Sequence, residues 1–337
     1  MGFRTGRKYA ITWCKKAENY DYVKALECYD EAIKRDPTFA KPWYEKGKIF
    51  ADTPELPESW MWQSTISPYI TGRPAPPYPE VGPVASKYKE TLKLFNKATE
   101  LDPKFVNAWF AKGYFYYHYV NGEDNAIKCL DKVIALDPKF ESAWFIKALV
   151  LAKLGKHKEI IKCCDKAIAL LRADGELQKI DDNYYYIADR WFTKANALSA
   201  LGKNKEAIEC YDETIKIRDK KSPPLLRKGI ILAKLGNHEE ALKCYDEIIK
   251  DDPYLQNVDM EKLYLVKANT LSELHGSIEP ILKCYSSAIK TCAHKLPDLN
   301  SKSVNEHSWE KTVKIINRLE EICSQAKNNL KKYHDND

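Results

Sequence analysis

The chain has 337 residues, which is enough for two or three ordinary domains or for one long array of repeats. Hydrophobic residues make up 44% and charged residues 30%, which excludes a disordered chain, and no apolar run approaches the about 20 residues of a membrane-spanning helix. The 54 basic residues are interleaved with 48 acidic ones, so we expect the net charge of +6 to lie mostly on solvated helix faces. The first ten residues lack the apolar core of a secretory signal, and we therefore expect a cytoplasmic protein.

The first predicted elements are two helical pairs, over residues 6–39 and 40–105. Apolar residues three to four positions apart predict the helices, and an Asp-Pro step closes each pair, at Pro37 and Pro103. An insertion over residues 51–84 interrupts the second pair. It contains the stretch "TGRPAPPYPEVGP" from Thr71, whose prolines prevent any helix from passing through.

The insertion also carries large aromatic residues, among them Trp60, Trp62 and Tyr78. A freely solvated linker would not carry these side chains, so we expect them to lie against the helical array, with Arg73 to Pro79 extended. Arg73, Pro76 and Pro79 also match an SH3-type ligand pattern, which is a weaker and purely compositional signal.

Five further helical pairs are predicted, over residues 106–140, 141–187, 188–221, 222–255 and 261–293. Their similarity is internal, since Gly202 and Gly236 are 34 residues apart, as are Tyr211 and Tyr245. The glycines lie in short polar turns, where a left-handed conformation ends the first helix of a pair.

Residues 303–333 follow the last pair and predict one amphipathic helix that begins with a capping box from Ser303 to Glu306. Its apolar stripe, which includes Cys323 and Ala326, is expected to cover the hydrophobic edge that a terminal pair would leave exposed.

The repeated unit closely resembles the tetratricopeptide repeat. The residues that carry the resemblance in the second and third copies are Trp43, Gly47, Phe50, Phe95, Ala98, Pro103, Trp109, Gly113, Tyr116, Ala126, Leu130 and Pro138. The resemblance implies an all-α fold, a right-handed superhelical solenoid of about seven hairpins over residues 1–293 with a C-terminal capping helix. It implies a fold and leaves the chemistry open.

No residue pattern in the chain predicts catalysis. Phosphate-binding loops and the usual hydrolase and metalloprotease motifs do not occur, and His157 and His238 fall in hairpin turns. The repeated cysteines, such as Cys210 and Cys244, lie at one helical position and predict small buried residues in a reducing compartment. We expect neither a metal site nor a cofactor, and we predict a protein that is not an enzyme.

The resemblance implies that the first helix of each pair lines a concave groove, where proteins of this family bind extended peptides or helices. When the repeats are aligned on the Trp or Leu of each first helix, the predicted groove residues are Tyr44, Lys48, Phe110, Tyr114, Tyr117, Phe145, Phe192, Asn196 and Asn269. Asn196 and Asn269 match one position of the family's clamp for chaperone carboxylates, but Phe192 replaces the lysine that the clamp needs. We therefore expect no chaperone carboxylate clamp.

The apolar and aromatic character of this groove favours a hydrophobic or proline-containing protein segment as the partner. The same side chains would equally pack against neighbouring helices or against the insertion, and the sequence does not separate these two readings. We predict a scaffold or adaptor for protein–protein interaction. One form of this hypothesis makes the protein a subunit of a larger complex. RNA binding is the alternative, although acidic residues interleave with the lysines.

Overall fold

The computed structural model describes residues 2–52, 83–173, 182–217, 222–251, 260–274, 278–293 and 320–328, with single residues at 317 and 331. All regular secondary structure in these ranges is helical, which confirms the predicted all-α class. The insertion residues Trp60, Trp62, Arg73, Pro79 and Tyr78 lie outside the described residues.

The helices fall into two compact units, Met1–Leu201 and Gly202–Asp337. The first unit contains α1 (Gly2–Ala17), α2 (Tyr22–Arg35), α3 (Ala40–Asp52), α4 (Pro83–Leu101), α5 (Val106–Phe115), α6 (Glu123–Leu136), α7 (Glu141–Lys153), α8 (His157–Ala173) and α9 (Asp182–Ala200). The second contains α10 (Asn204–Ile217), α11 (Ser222–Lys234), α12 (His238–Asp251), α13 (Met260–Glu273) and α14 (Ile278–Ala293).

Within each unit, helices that are adjacent in the chain pack against each other as α-hairpins, namely α1 with α2, α3 with α4, α5 with α6, α7 with α8, α11 with α12 and α13 with α14. Small residues let the paired helices approach closely. At Gly47 and Gly229 an added Cβ atom would lie 2.7 Å from the Phe95 ring and 2.5 Å from the Tyr245 ring. The six repeated cysteines, Cys28, Cys129, Cys163, Cys210, Cys244 and Cys284, are all buried, which confirms that prediction.

A hydrogen-bonded turn joins one hairpin to the next in the first unit. In each case the Asp carboxylate accepts the backbone N–H two residues on at 3.0 Å, and the indole N–H of the following Trp donates to the Pro carbonyl at 3.0–3.1 Å. The three turns run from Asp36 to Trp43, from Asp102 to Trp109 and from Asp137 to Trp144. These bonds set the direction in which each new first helix begins.

Asp–Lys ion pairs also link consecutive hairpins. An Asp on the second helix of one hairpin meets a Lys on the first helix of the next hairpin in the pairs Asp30–Lys46, Asp131–Lys147, Asp165–Lys194, Asp212–Lys228 and Asp246–Lys267. We call these pairs rungs. Asn96 occupies the equivalent Asp position opposite Lys112, so that junction lacks the carboxylate.

Only part of the predicted capping helix belongs to the described residues. Residues 320–328 are helical, and Ile322 is buried with Leu265 and Tyr285 of the last hairpin, with Ala326 packed beside it. Cys323, which the sequence placed on the buried stripe, is exposed. The buried face is therefore centred on Ile322, one residue before the predicted position.

Candidate partner-binding face

In the first unit the first helices of the hairpins are α1, α3, α5, α7 and α9. We call the side chains at their groove positions, as the repeat pattern predicts them, the first-helix face. Most predicted groove residues belong to these helices, and the structure places them in different environments. Asn269 is in the second unit, where it is exposed and its side-chain oxygen accepts a hydrogen bond from the Tyr285 hydroxyl at 3.1 Å.

Tyr44 on α3 is half-buried and joins two hairpins through its ring. Its centroid lies 5.0 Å from that of Phe105, in the turn before α5, and 6.5 Å from that of Phe95 on α4. The Lys48 ammonium lies 5.4 Å from the Tyr44 centroid and pairs with Glu45 at 3.2 Å. Tyr44 and Lys48 therefore lie together, with Lys48 exposed.

The aromatic centre of the face is a row of rings on α5. Phe110 contacts Phe140 at 4.8 Å and Tyr114 at 6.2 Å, and Tyr114 contacts His118 at 4.0 Å between centroids. Tyr114 is 39% exposed and is the most accessible aromatic residue of this row. Phe110 and Tyr114, both predicted as groove residues, therefore contact each other along α5.

Tyr117 differs from its predicted position, because it is 1% exposed and belongs to the core between α5, α6 and α7. The cause is a π-helical turn over Tyr116–Val120 that continues α5. Trp109 and Trp144 are 35 residues apart, one more than the usual spacing, and a π-helical turn absorbs one extra residue in a helix. That spacing is the signal that the sequence prediction missed.

The π-helical turn brings Lys153 of α7 against α5. The Lys153 ammonium donates to the backbone carbonyl of Tyr117 at 3.0 Å, lies 4.5 Å from the Tyr117 ring centroid and is 3.7 Å from a Glu123 carboxylate oxygen. Burial lowers the pKa of Lys153, and Glu123 opposes that shift.

His118 lies in the same turn and is buried among Tyr114, Tyr117 and Tyr119. Burial, with a smaller contribution from the Lys153 charge, lowers the pKa of His118 to about 3. The imidazole is therefore neutral at physiological pH, and it contributes an uncharged ring to the aromatic row.

Phe145 on α7 is only 8% exposed, because Arg190 of α9 covers its ring at 3.8 Å. The Arg190 guanidinium donates to both carboxylate oxygens of Glu141, at 2.8 and 3.1 Å, and to the Tyr186 carbonyl at 2.9 Å. Phe192 is likewise buried, and Asn196 is half-buried. At this end the face is a packed ion pair over aromatic rings rather than an open apolar surface.

The sequence prediction also missed the contribution of α1, whose repeat pattern is degenerate. Lys8, Ile11, Lys15 and Glu18 recur at helical spacing and are exposed. Glu18 pairs with Lys41 of α3 at 3.2 Å, which places this row beside the Tyr44 row. The first-helix face therefore begins with lysines, continues with aromatic rings and ends at the Glu141–Arg190 pair.

No group of three or more possible metal ligands occurs in the part of the chain that the structure describes. His157 and His238 are half-buried in the hairpin turns rather than on the first-helix face. None of the described helices is long and apolar enough to cross a membrane.

The stacked hairpins with a common first-helix face define an α-helical repeat scaffold. Models described as tetratricopeptide repeat match residues 106–140, 141–172 and 192–255. Residues 106–172 and 192–255 of the chain are therefore tetratricopeptide repeats. Proteins with such repeats are generally non-enzymatic scaffolds for protein–protein interaction, and the fold and repeats support that general role here.

Two solved structures illustrate the fold. YrrB, described as a protein of this repeat type with an unusual peptide-binding site, is 16% identical with a TM-score of 0.50, over 68% of this chain and 94% of that one. A tetratricopeptide repeat protein from Parabacteroides merdae is 11% identical with a TM-score of 0.51, over 91% of this chain and 98% of that one. Comparison with curated protein sequences gives no significant match.

Proposed function

We propose that this scaffold binds a hydrophobic or proline-containing segment of a protein partner on the first-helix face of the first unit. The protein then acts as an adaptor, on its own or as a subunit of a larger complex. The observation that carries the proposal is the aromatic row Phe110, Tyr114 and His118, in which the Tyr114 ring is accessible.

Aromatic rings of this kind suit a partner peptide for a physical reason. A Tyr side chain offers a large apolar area with few rotatable bonds, so its ordering on binding costs little entropy. Proline-containing segments are also preset in an extended conformation and dock on aromatic surfaces. That YrrB, a protein with the same fold, is described as having a peptide-binding site supports a peptide as the class of ligand.

The remaining predicted residues have different parts in this proposal. Tyr117, Phe145 and Phe192 are buried and support the face from below, whereas Tyr44, Lys48, Tyr114 and Asn196 are the residues that a partner would touch. Asn269 is proposed as a contact on the second unit, considered by itself. The insertion contacts Trp60, Trp62 and Tyr78 remain predictions, because they lie outside the described residues.

The test uses a library of random peptides displayed on phage and selected against the wild-type protein. The affinity of an enriched peptide is then measured by fluorescence anisotropy for the wild type and for Tyr114→Ala. Loss of an exposed aromatic anchor is expected to lower affinity by about tenfold or more, and circular dichroism should show that the variant is folded at the assay temperature. The matched control is Tyr20→Ala, which removes an exposed Tyr from the turn between α1 and α2.

Phe145→Ala separates an anchor from a packing residue. Because Phe145 is buried under Arg190, its truncation should lower the free energy of unfolding by about 3 kcal/mol. The proposal fails if no peptide is enriched, or if Tyr114→Ala binds the enriched peptides as the wild type does.

A further inference from the structure

The α1 end of the first-helix face is basic. Helix α1 contains no acidic residue, and Lys8, Ile11 and Lys15 recur along it at spacings of three and four residues, so their side chains lie on one face. All three are exposed, Ile11 by 40%. Among the described residues, no carboxylate pairs with Lys8 or Lys15.

This basic row is continuous with the aromatic row. Lys41 pairs with Glu18 at the end of α1, Tyr44 lies one turn further along α3, and the Tyr44 ring contacts Phe105 directly before α5. Lys41 and Lys48 each already have a glutamate partner, Glu18 and Glu45. The uncompensated positive charge therefore lies at Lys8 and Lys15.

The opposite end of the face has no such uncompensated charge. Glu141 is paired with Arg190, which neutralises both side chains. The face thus changes from basic on α1, through aromatic on α5, to a neutral ion pair between α7 and α9. A ligand that is charged uniformly along its length does not match this gradient, whereas a ligand charged at one end does.

We infer that the partner segment is a peptide with an acidic cluster at one end and an apolar or proline-containing stretch at the other. The acidic cluster lies over Lys8 and Lys15, and the apolar stretch lies over Tyr44, Phe110 and Tyr114. This inference rests on the proposed function and adds the charge of the partner segment and the direction in which it lies on the face. The lysines steer the partner and fix its direction, and the rings supply the apolar contact.

The experiment extends the phage selection to the charge-reversed protein Lys8→Glu/Lys15→Glu. Peptides enriched on the wild type are expected to carry Asp or Glu on one side of an aromatic, aliphatic or proline cluster. Their affinity should fall by about tenfold or more in the charge-reversed protein and should weaken with added salt. The matched control is Lys128→Glu/Lys132→Glu, which makes the same charge change on exposed residues of α6.

The outcomes separate the two proposals. If the enriched peptides lack an acidic cluster, or bind the charge-reversed protein with unchanged affinity, the inference is wrong, although Tyr114→Ala would still weaken binding. If no enriched peptide depends on Tyr114, the proposed function itself is wrong. Competition by poly(U) RNA, lost in the charge-reversed protein, would overturn the inference in favour of a nucleic acid. Melting temperatures of both charge variants should equal that of the wild type, because all four lysines are exposed.

Discussion

His118 is a buried histidine on which the stability of the protein should depend. Its pKa is about 3 in the folded protein, against an ordinary value of 6.5, because the ring is buried among aromatic side chains with Lys153 nearby. Between these two values the unfolded chain binds a proton at His118 and the folded protein does not. The stability that His118 contributes is therefore complete above about pH 6.5 and is lost as the pH falls towards 3.

We predict that the melting temperature falls less between pH 7 and pH 5 in His118→Phe than in the wild type. The carboxylate of Asp36, whose pKa is lowered by Arg7 and Thr38, stays ionised in this range and adds nothing to the difference. Tyr114→Phe, which changes a ring of the same aromatic row without removing a histidine, is the control and should keep the wild-type dependence. Equal pH dependence in wild type and His118→Phe would contradict the pKa assigned here.

The candidate site could be predicted from sequence at some residues and not at others. Tyr44, Phe110 and Tyr114 follow from the position of Trp43 and Trp109 in the repeat, since helical periodicity fixes which side chains share a face. Phe145 could not be placed, because its burial depends on Arg190, which is 45 residues away in the sequence. Helical periodicity predicts the direction in which a side chain points, but not which other side chain covers it.

At the scale of single elements, the π-helical turn after α5 has a stabilising partner. A π-helical turn alters the regular hydrogen bonding of the helix, and here the carbonyl of Tyr117 receives the Lys153 ammonium at 3.0 Å. That contact links α7 to the end of α5. The contact therefore stabilises the position of the aromatic row from the side of α7.

We predict that Lys153→Met lowers the free energy of unfolding by about 1–3 kcal/mol, because a buried carbonyl loses its donor and Glu123 loses its ion pair. The matched control is Lys156→Met, at an exposed position in the next turn, which should melt as the wild type does. Urea unfolding measures both variants. Equal midpoints for the two variants would show that the contact contributes no stability.

The helices themselves were largely predictable, and their boundaries follow recognisable signals. Gly155, Gly202 and Gly236 have φ angles of +67°, +73° and +83°, as expected for glycines that end the first helix of a pair. The extra residue in the third copy was visible as the 35-residue spacing between Trp109 and Trp144. The structural effect of the extra residue was not visible in the sequence, since an extra residue can be absorbed by a loop as readily as by a π-helical turn.

At the scale of the whole molecule, the rungs recur at most of the junctions between hairpins. The Lys side chains of the rungs are about one-fifth exposed, whereas the Asp side chains are 38–60% exposed, so these contacts are open to water on the Asp side and sensitive to salt. Asp30 and Lys46, Asp131 and Lys147, and Asp212 and Lys228 are each 16 residues apart, as are Asn96 and Lys112.

We predict that Asn96→Asp creates the missing rung. A double-mutant cycle with Lys112→Met should give a coupling free energy of about 0.5 kcal/mol, which decreases as salt is added. The same cycle on Asp131 and Lys147 is the matched control and should give a similar coupling. A coupling of zero at Asn96→Asp beside a clear value at the control pair would show that this junction has a different geometry.

The hydrogen bonds in the turns between hairpins join donors and acceptors that are only a few residues apart, from Asp102 to Trp109 or from Asp137 to Trp144. A tandem duplication of residues 106–140 would place Trp109 of the second copy six residues after Pro138 of the first, which is the present spacing of Pro138 and Trp144. It would therefore lengthen the array and re-form these bonds at the new junction. Before α9 the sequence has no Asp-Pro step, and none of the residues that the structure describes accepts a hydrogen bond from the buried Trp191 indole nitrogen. A duplication at that junction would not carry the Asp-Pro hydrogen bonds with it, so the array can lengthen more readily at the Asp-Pro junctions than there.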